Sequence, residues 1–366
     1  MRDAGYEVIV ICPQMRGYMQ AEEKLDGIRI YRHWISEEAG GFPGFFREYV
    51  SALWGETRLA WKAWRRHKFK IIHLCNPPDL LFLVALPFKL LGVRVIYDVH
   101  DLWPEMFEAK FCKRGLFYWF VRLAERLTYA CANVVLATNE SVKSAAIQRG
   151  GKSTDKVFVV RTAPKIPNTD LPPDPALKRG KKYLVGYIGV MGNADGVSYI
   201  LEAAAHLVNR LGRKDVQFLL MGTGPEYERL VRQRDEAGLK DSVDLPGRVS
   251  NEFLFTALRT IDLGASGDPK NSYNDHCTMN KVLEYMTFGK PQVMFDLKEG
   301  KASAGEAAIY VSENSAEKLA EAISMLLDDP LKRELMGQVG AERIKTQLNW
   351  ERSVEQLLRA YEETFR

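Results

Sequence analysis

Four stretches of the chain combine residue types and spacings that could do chemistry. Gly189-Val-Met-Gly192-Asn-Ala-Asp-Gly196 follows an apolar run and precedes an amphipathic one. Glycines there let backbone approach a phosphate, and the helix that follows offers unpaired N–H groups and a positive dipole end. The spacing is not that of the dinucleotide fingerprint G-x-G-x-x-G. Taken alone, the stretch reads equally well as a tight βα turn. In the second stretch, Asn274–Pro291, Asn274 or Asp275 can cap a helix that Gly289 and Pro291 end. Thr278, Lys281 and Glu284–Tyr285 then fall on neighbouring turns of one face. Thr278 could meet a phosphate, Lys281 could neutralise it, and Glu284 suits bidentate hydrogen bonds to a vicinal diol. Spacing alone favours a solvated helix face with an ordinary Lys–Glu pattern.

The third stretch, Val99-His100-Asp101-Leu102, lies just past a strand. His100 could hydrogen-bond a hydroxyl or orient a second substrate, or it is a satisfied polar residue beside a capping Asp101. The fourth comprises two loops, Met221-Gly-Thr-Gly-Pro225 and Gly247-Arg248-Val249. Arg248 is the more specific of these, because a guanidinium matches phosphate. The chain has no G-x-x-x-x-G-K-[ST] loop, H-E-x-x-H helix, cysteine cluster or D-x-D pair. P-loop hydrolysis and a bound metal are therefore not expected, and any leaving diphosphate must be met by helix ends and basic residues.

Strands alternating with amphipathic helices must position these residues. Tyr6–Cys12, Phe69–Cys75, Val93–Val99 and Asn133–Ala137 read as buried strands, with helices at Phe45–His67, Asp79–Leu91 and Leu116–Ala132. The pattern weakens from Arg161 to Lys182, where five prolines mark a linker. It restarts with strands at Tyr183–Val190, Val216–Met221, Asp262–Ala265 and Gln292–Asp296. The matching helices are Val197–Leu211, Glu226–Ala237, Lys281–Phe288 and Leu319–Leu327, and Glu334–Phe365 is mostly helical. This alternation predicts two doubly wound parallel-sheet α/β domains facing a cleft, with ligands at the carboxyl ends of the strands. The expected boundaries are 1–165, a linker at 166–182, 183–348, and a C-terminal helix at 349–366. Met1-Arg-Asp-Ala-Gly5 resembles the last turn of a helix with a glycine cap, which suggests that a first strand and most of a first helix are missing.

With 46% hydrophobic and 27% charged residues, the composition is globular. A net charge of +4 gives no case for nucleic acid. Five cysteines without a C-x-x-C pair argue against a disulfide framework or a zinc site and fit a reducing, cytoplasmic setting. No secretory signal pattern opens the chain. The longest apolar run, Leu80–Leu91, is too short to span a bilayer and reads as a buried helix. On Phe45–His67, Phe46, Val50, Leu53, Trp54, Thr57, Trp61 and Trp64 form a stripe that faces the core, while the basic end around Arg65 and Arg66 could touch an anionic membrane surface.

Together these segments resemble the retaining GT-B-fold glycosyltransferases of family 4, in the subgroup that builds bacterial surface polysaccharides. The resemblance runs through Asp98-Val-His-Asp-Leu-Trp-Pro-Glu105, Thr138-Asn-Glu-Ser141, Tyr187–Gly192, Gly222-Thr-Gly-Pro225 and Pro246-Gly-Arg-Val249. It continues through Asn274–Pro291, Asp296-Leu-Lys-Glu299 and Ser303-Ala-Gly305. It implies two Rossmann-like domains, a UDP- or GDP-linked sugar donor, no cofactor and no required metal. It also implies a saccharide or lipid-linked acceptor and a location in the cytoplasm or at the inner face of the membrane. In the family, the position of Glu284 binds the donor ribose and amides around Cys277–Thr278 hold the diphosphate. The turn Gly189–Gly192 lies beside that diphosphate, Arg248–Val249 lies near the base, and His100 lies near the transferred sugar. The resemblance also brings Asn274 into the donor site, with Lys281 and Asp275 as candidate catalytic groups. Two departures stand out. His276 occupies the place of a usual second glutamate, for which the adjacent Asp275 could substitute. Asn193, Ala194 and Asp195 follow the glycine turn where an Arg and Lys pair is usual, and Lys281 and Arg248 are the proposed replacements. Rival readings are a non-hydrolysing sugar-nucleotide epimerase and a truncated, non-catalytic relative.

Overall fold

The computed structural model describes residues 1–15, 17–35, 42–77, 79–111, 114–164 and 171–366. Chain contacts divide it into two units, Met1–Val160 with Val354–Arg366, and Arg161–Ser353. In the first unit, β1 (Ile9–Pro13), β2 (Glu22–Leu25) and β3 (Ile28–His33) form a small mixed sheet in the order β1-β3-β2. Asp26 and Gly27 join β2 to β3 at φ +50° and +84°, the pair of positive angles that a two-residue hairpin loop requires. The sequence reading passed over this hairpin and predicted one parallel sheet. The rest of the unit follows the expected alternation: α1 (Phe42–His67), β4 (Ile71–Cys75), α2 (Phe82–Leu90), β5 (Arg94–Val99), α3 (Trp103–Phe111), α4 (Leu116–Cys131), β6 (Val134–Ala137), α5 (Glu140–Gln148) and β7 (Val157–Val159). Strands β4 to β7 pair in sequence order, all parallel. The register sets Cys75 beside Asp98 and His73 beside Ile96.

The two faces of this sheet are covered differently. Val95, Tyr97 and Val99 of β5 pack under α1, α2 and α5, while Ile96 faces the chain's last helix at Ala360 and Tyr361. This strict alternation is the period-2 pattern of a strand buried on both sides. Helix α2 departs from expectation. Val84, Ala85 and Phe88 are buried, yet Leu83, Leu86, Leu90 and Leu91 are exposed, so the run is half-buried rather than buried. No helix of the described residues is long and apolar enough to cross a membrane. Of the stripe on α1, Trp61 and Trp64 pack on Phe88 with ring centroids 4.8 and 6.3 Å away, but Trp54 and Val50 face solvent. The side chain of Phe46, residue Cys112 and the linker stretch 166–170 lie outside the described residues.

The second unit opens with a 3-10 turn, Pro175–Lys178, capped by Asp174. It continues with β8 (Tyr183–Ile188), α6 (Val197–Ala205), β9 (Val216–Met221), α7 (Tyr227–Glu236), β10 (Val243–Gly247), α8 (Asn251–Thr260) and β11 (Leu263–Ser266). Then come α9 (Asn280–Thr287), β12 (Gln292–Phe295), α10 (Lys298–Ala304), β13 (Ala308–Val311), α11 (Ala316–Asp328) and α12 (Pro330–Thr346), while α13 (Trp350–Glu363) belongs from Val354 onward to the first unit. The six strands form one parallel sheet in the order β10-β9-β8-β11-β12-β13. The order reverses direction at β8, so the loops after β8 and β11 flank the switch point at which open α/β sheets bind ligands. Every residue of β8 and β9 is buried, as expected for central parallel strands. The helix predicted over Val197–Leu211 is α-helical only to Ala205 and continues as a wider π turn through Arg210.

Candidate functional site

In the second unit, glycines bring three strand-end loops into backbone contact. Gly222 sits at φ +145°, and a Cβ there would lie 1.8 Å from the carbonyl oxygen of Gly189. Gly196 sits at φ +58°, and its Cβ would lie 2.0 Å from the carbonyl oxygen of Gly267. Neither approach leaves room for a side chain, and both angles disfavour one. Backbone hydrogen bonds fasten the same loops, from Gly189 N–H to Met221 O and from Met191 N–H to Thr223 O, each 3.1 Å. The glycine turn therefore has a structural reason at Gly189 and Gly222 whatever it binds. A cavity of about 90 Å³ beside it, lined by Gly192, Gly196, Glu226 and Arg229 among others, is too small for a nucleotide.

Lys281 lies next to this junction, but its charge is already engaged. Its Nζ donates to Asp268 Oδ1 at 2.8 Å and Oδ2 at 3.0 Å, and Asp195 Oδ1 is 3.8 Å away. The ammonium is buried, and although burial pulls its pKa down, Asp268 and Asp195 raise it above the ordinary lysine value. This corrects the expectation that Lys281 is free to neutralise phosphate: two carboxylates hold it as a buried strut between α9 and the loops after β8 and β11. The amide of Gly192 is likewise taken, donating to Asp195 Oδ2 at 3.0 Å. Burial raises the pKa of Asp195. Asp268 was missed in the sequence, although Gly267-Asp268-Pro269 directly follows a strand.

Helix α9 starts within a residue of the predicted Lys281, but not behind the predicted cap at Asn274 or Asp275. Asn274–His276 form a 3-10 turn, and α9 begins at Asn280 behind Met279, with no capping side chain. Asn274 is not a cap but a buried clasp, donating from Nδ2 to Ala194 O and Pro269 O at 2.9 Å each. Asp275 accepts from Lys298 N–H at 2.8 Å, at the start of α10, which commits one carboxylate oxygen to the fold rather than to a reacting group. The Cys277 amide donates to Asn274 O at 3.2 Å, so it is not an open phosphate donor here. Thr278 is half-buried just before α9.

Glu284 behaves differently. It is half-buried one turn beyond Lys281, burial raises its pKa, and its carboxylate has no hydrogen-bond or ion-pair partner among the described residues. Adjacent Tyr285 is fully buried and anchors the helix. Its hydroxyl accepts from Ile188 N–H at 3.1 Å, and its ring fills the space that Gly264 leaves open. Arg248 is exposed after β10, while Val249 is half-buried against the apolar cluster of Ile188 and Met221.

The first unit holds the remaining candidate. His100 Nε2 lies 3.3 Å from Asp98 Oδ2, and His73 Nε2 lies 3.2 Å from the same oxygen. Hydrogen bonds to Asp98 and to Cys75 raise the His100 pKa to about 10. Burial pushes Asp98 up, but hydrogen bonds from His100 and His73 hold it at about 2. Asn76 fixes the loop that carries His100. Its Oδ1 accepts from His100 N–H at 2.7 Å, and its Nδ2 donates to Asp79 Oδ1 at 2.9 Å and Asp101 O at 2.7 Å. His100 is thus a half-exposed imidazole on a rigid strand end, held by Asp98 and Cys75. Asn76 and His73 escaped the sequence reading because the partners that matter here, His100, Asp101 and Asp98, lie more than twenty residues away.

Known proteins resemble both units. Residues 1–162 match the glycosyl transferase 4-like domain and residues 182–329 match the glycosyl transferases group 1. The α-D-kanosaminyltransferase of Streptomyces kanamyceticus is 34% identical over 160 residues, which is 43% of this chain and 40% of that protein, so the match spans well under half of either. An uncharacterized glycosyltransferase of Methanocaldococcus jannaschii, MJ1069, is 20% identical over 98% of this chain and 91% of its own length. Among solved structures, sucrose-phosphate synthase from Thermosynechococcus elongatus has a TM-score of 0.79 at 17% identity, covering 100% of this chain and 90% of that one. Anabaena Alr3699/HepE in complex with UDP has a TM-score of 0.70 at 14% identity, covering 97% and 99%. With two parallel-sheet α/β units and a family match in each, the chain belongs to the GT-B glycosyltransferases of the group 1 type.

Proposed function

We propose that the chain transfers a sugar, with retention of anomeric configuration, from a UDP- or GDP-linked donor to a hydroxyl of a saccharide or lipid-linked saccharide, in surface polysaccharide synthesis. The observation that carries this reading is the half-buried carboxylate of Glu284, without a hydrogen-bond partner among the described residues, one helical turn beyond the Lys281 that meets the glycine-lined junction. Two acceptor oxygens on a fixed helix match the two hydroxyls of a ribose. The N-terminal amides of Asn280 and Lys281 on α9, together with Arg248, would meet the diphosphate. The leaving group's charge is met by these groups and needs no metal. Lys281 contributes by holding the loops rather than by touching phosphate. His100 donates a hydrogen bond to the sugar. Positioning and electrostatic stabilisation supply the rate.

The acceptor side of this proposal includes a membrane surface, and its location moves from that expected. At the basic end of α1, Lys62 and Arg66 pair with Glu22, and His67 lies 3.0 Å from Glu7. Helices α2 and α4 pack together and present Leu83, Leu86 and Leu90 beside Leu116, Trp119 and Leu123 to solvent. Leu116 is 90% and Trp119 63% exposed. The lone acid of α4, Glu125, is buried against Arg149, while Arg126 is exposed and Arg122 half-exposed. An apolar face fringed by cations and free of exposed acids suits an anionic bilayer. It supports a location at the inner face of a membrane.

Calorimetric titration with UDP and GDP tests the donor site. One nucleotide binds, and Glu284→Ala weakens it; binding of neither by folded protein rejects the reading. Anomeric assignment of the product by NMR tests retention, and an inverted product overturns that part. Flotation with phosphatidylglycerol vesicles tests the surface. Trp119→Ser with Leu123→Ser abolishes flotation, and flotation that persists places the contact elsewhere.

A further inference from the structure

We propose that His73, Cys75, Asp98 and His100 form a binding site for a thiophilic divalent cation of the zinc type. Backbone register assembles the donors. His73 and Cys75 point to one face of β4 because they are two residues apart, and Asp98 is the direct neighbour of Cys75 on β5. His100 follows Asp98 by two residues on the same side. That face is the one covered by the last helix. Among the described residues this is the one group in which three or more metal-type side chains converge, with the donor atoms of His73, Cys75 and Asp98 all within 4.8 Å of one another.

The distances fit a tetrahedral ion. Bonds of about 2.0 Å to nitrogen or oxygen and about 2.3 Å to sulfur separate neighbouring donors by roughly 3.3 to 3.6 Å. Both histidine Nε2 atoms already stand near that distance from Asp98 Oδ2, at 3.2 and 3.3 Å. The span of 4.8 Å closes by about 1 Å, within reach of side-chain rotation. Two imidazoles, a thiolate and one carboxylate favour zinc-like ions over magnesium or calcium, which want an all-oxygen shell. Tyr361 completes the arrangement. Its hydroxyl lies 2.9 Å from His73 Nδ1, an outer partner that fixes the ring and leaves Nε2 aimed at the cluster. Cys75 is exposed and His100 half-exposed, so an ion can enter from solvent. The spacing 73, 75, 98, 100 resembles no sequence motif because two strands contribute the ligands.

The site stands without the transferase reading. One consequence does rest on that reading: an ion that takes His100 withdraws it from the sugar and inhibits transfer. Cobalt titration of the intact chain tests binding alone. One equivalent of Co²⁺ is expected to give thiolate charge-transfer absorption and intense tetrahedral d–d bands, which Zn²⁺ displaces. Cys75→Ser loses the charge-transfer band and binds Zn²⁺ at least tenfold more weakly, while Tyr361→Phe weakens binding less. Thermal unfolding without metal checks that both variants fold. In the unaltered protein, Zn²⁺ slows alkylation of Cys75, read by peptide mass, and a chelator restores it. A charge-transfer band that survives in Cys75→Ser, or alkylation of Cys75 indifferent to Zn²⁺, overturns the site. Binding with no loss of transfer leaves the site standing and rejects only the inhibition.

Discussion

The strand-end clusters of the two units solve opposite problems. At the ends of β8 and β11 the charged side chains are sealed: Lys281 is 7% exposed and hydrogen-bonded to Asp268, and glycine backbones close over the loops. At the ends of β4 and β5 the charged side chains are open. His100 and His73 share the Asp98 carboxylate near solvent and both hydrogen-bond Cys75, and their pKa values are displaced by one another. Partial desolvation pushes Cys75 up, yet hydrogen bonds from His100 and His73 bring it down to about 7. The same α/β scaffold thus gives a shape-defined end in one unit and a charge-defined end in the other. A rigid junction suits a ligand whose form never changes, such as a nucleoside diphosphate. A labile cluster suits a group that must gain and lose partners.

The comparison predicts where each unit is brittle. Gly222→Ala forces a Cβ to 1.8 Å from Gly189 O, so the second unit should lose more than about 4 kcal/mol, with Tm falling by about 10 °C in calorimetry. An unchanged Tm would show that shape does not define that end. Arg149→Ala comes next. Arg149 Nη2 stands 2.5 Å from buried Glu125 and its Nη1 pairs with Glu105, so removal strands a carboxylate and costs about 3 to 5 kcal/mol in urea unfolding of the first unit. Glu284→Ala should weaken nucleotide binding about tenfold to a hundredfold and leave Tm within a degree or so. A fall in Tm instead would make Glu284 part of the fold.

The smallest expected effect is a pH dependence in the first unit. Burial alone raises the Glu56 pKa from 4.5 to about 7, and its Oε2 is buried without a partner. A carboxyl whose folded pKa exceeds its unfolded one stabilises fully below the unfolded value, and that contribution is lost as pH rises through the folded value. Stability should therefore fall by roughly 2 to 3 kcal/mol between pH 4.5 and 7, and Glu56→Gln should flatten this part of the curve. A slope that survives the substitution assigns the titration to another group.

Alternation alone revealed the parallel strands and most helices, because strands buried on both faces are nearly unbroken apolar runs. β9 is VQFLLM, with the limits predicted. The hairpin of β2 and β3 was equally legible, since Asp26-Gly27 between alternating residues is a standard turn signal, and it was passed over. Residues were easier to place than their partners. Spacing put Lys281 and Glu284 on one helix, but that Asp268 hydrogen-bonds the first, while the second has no hydrogen-bond partner among the described residues, is a long-range fact. The exposed leucines of α2 were hidden for a related reason. An apolar run states that side chains avoid water, not that the protein covers them, and only packing separates Phe88 from Leu90.

The reciprocal glycines leave a mark on what sequences can follow this one. A Cβ at Gly196 would meet Gly267 O at 2.0 Å, and one at Gly267 would meet Gly196 O at 2.3 Å. Neither position can change first, because each blocks the other's escape, and changing both together doubles the collision. A lineage that keeps this fold has no single-step exit from either glycine. The pair should persist among descendants that have lost the activity, and outlive the catalytic residues as a fossil of the architecture.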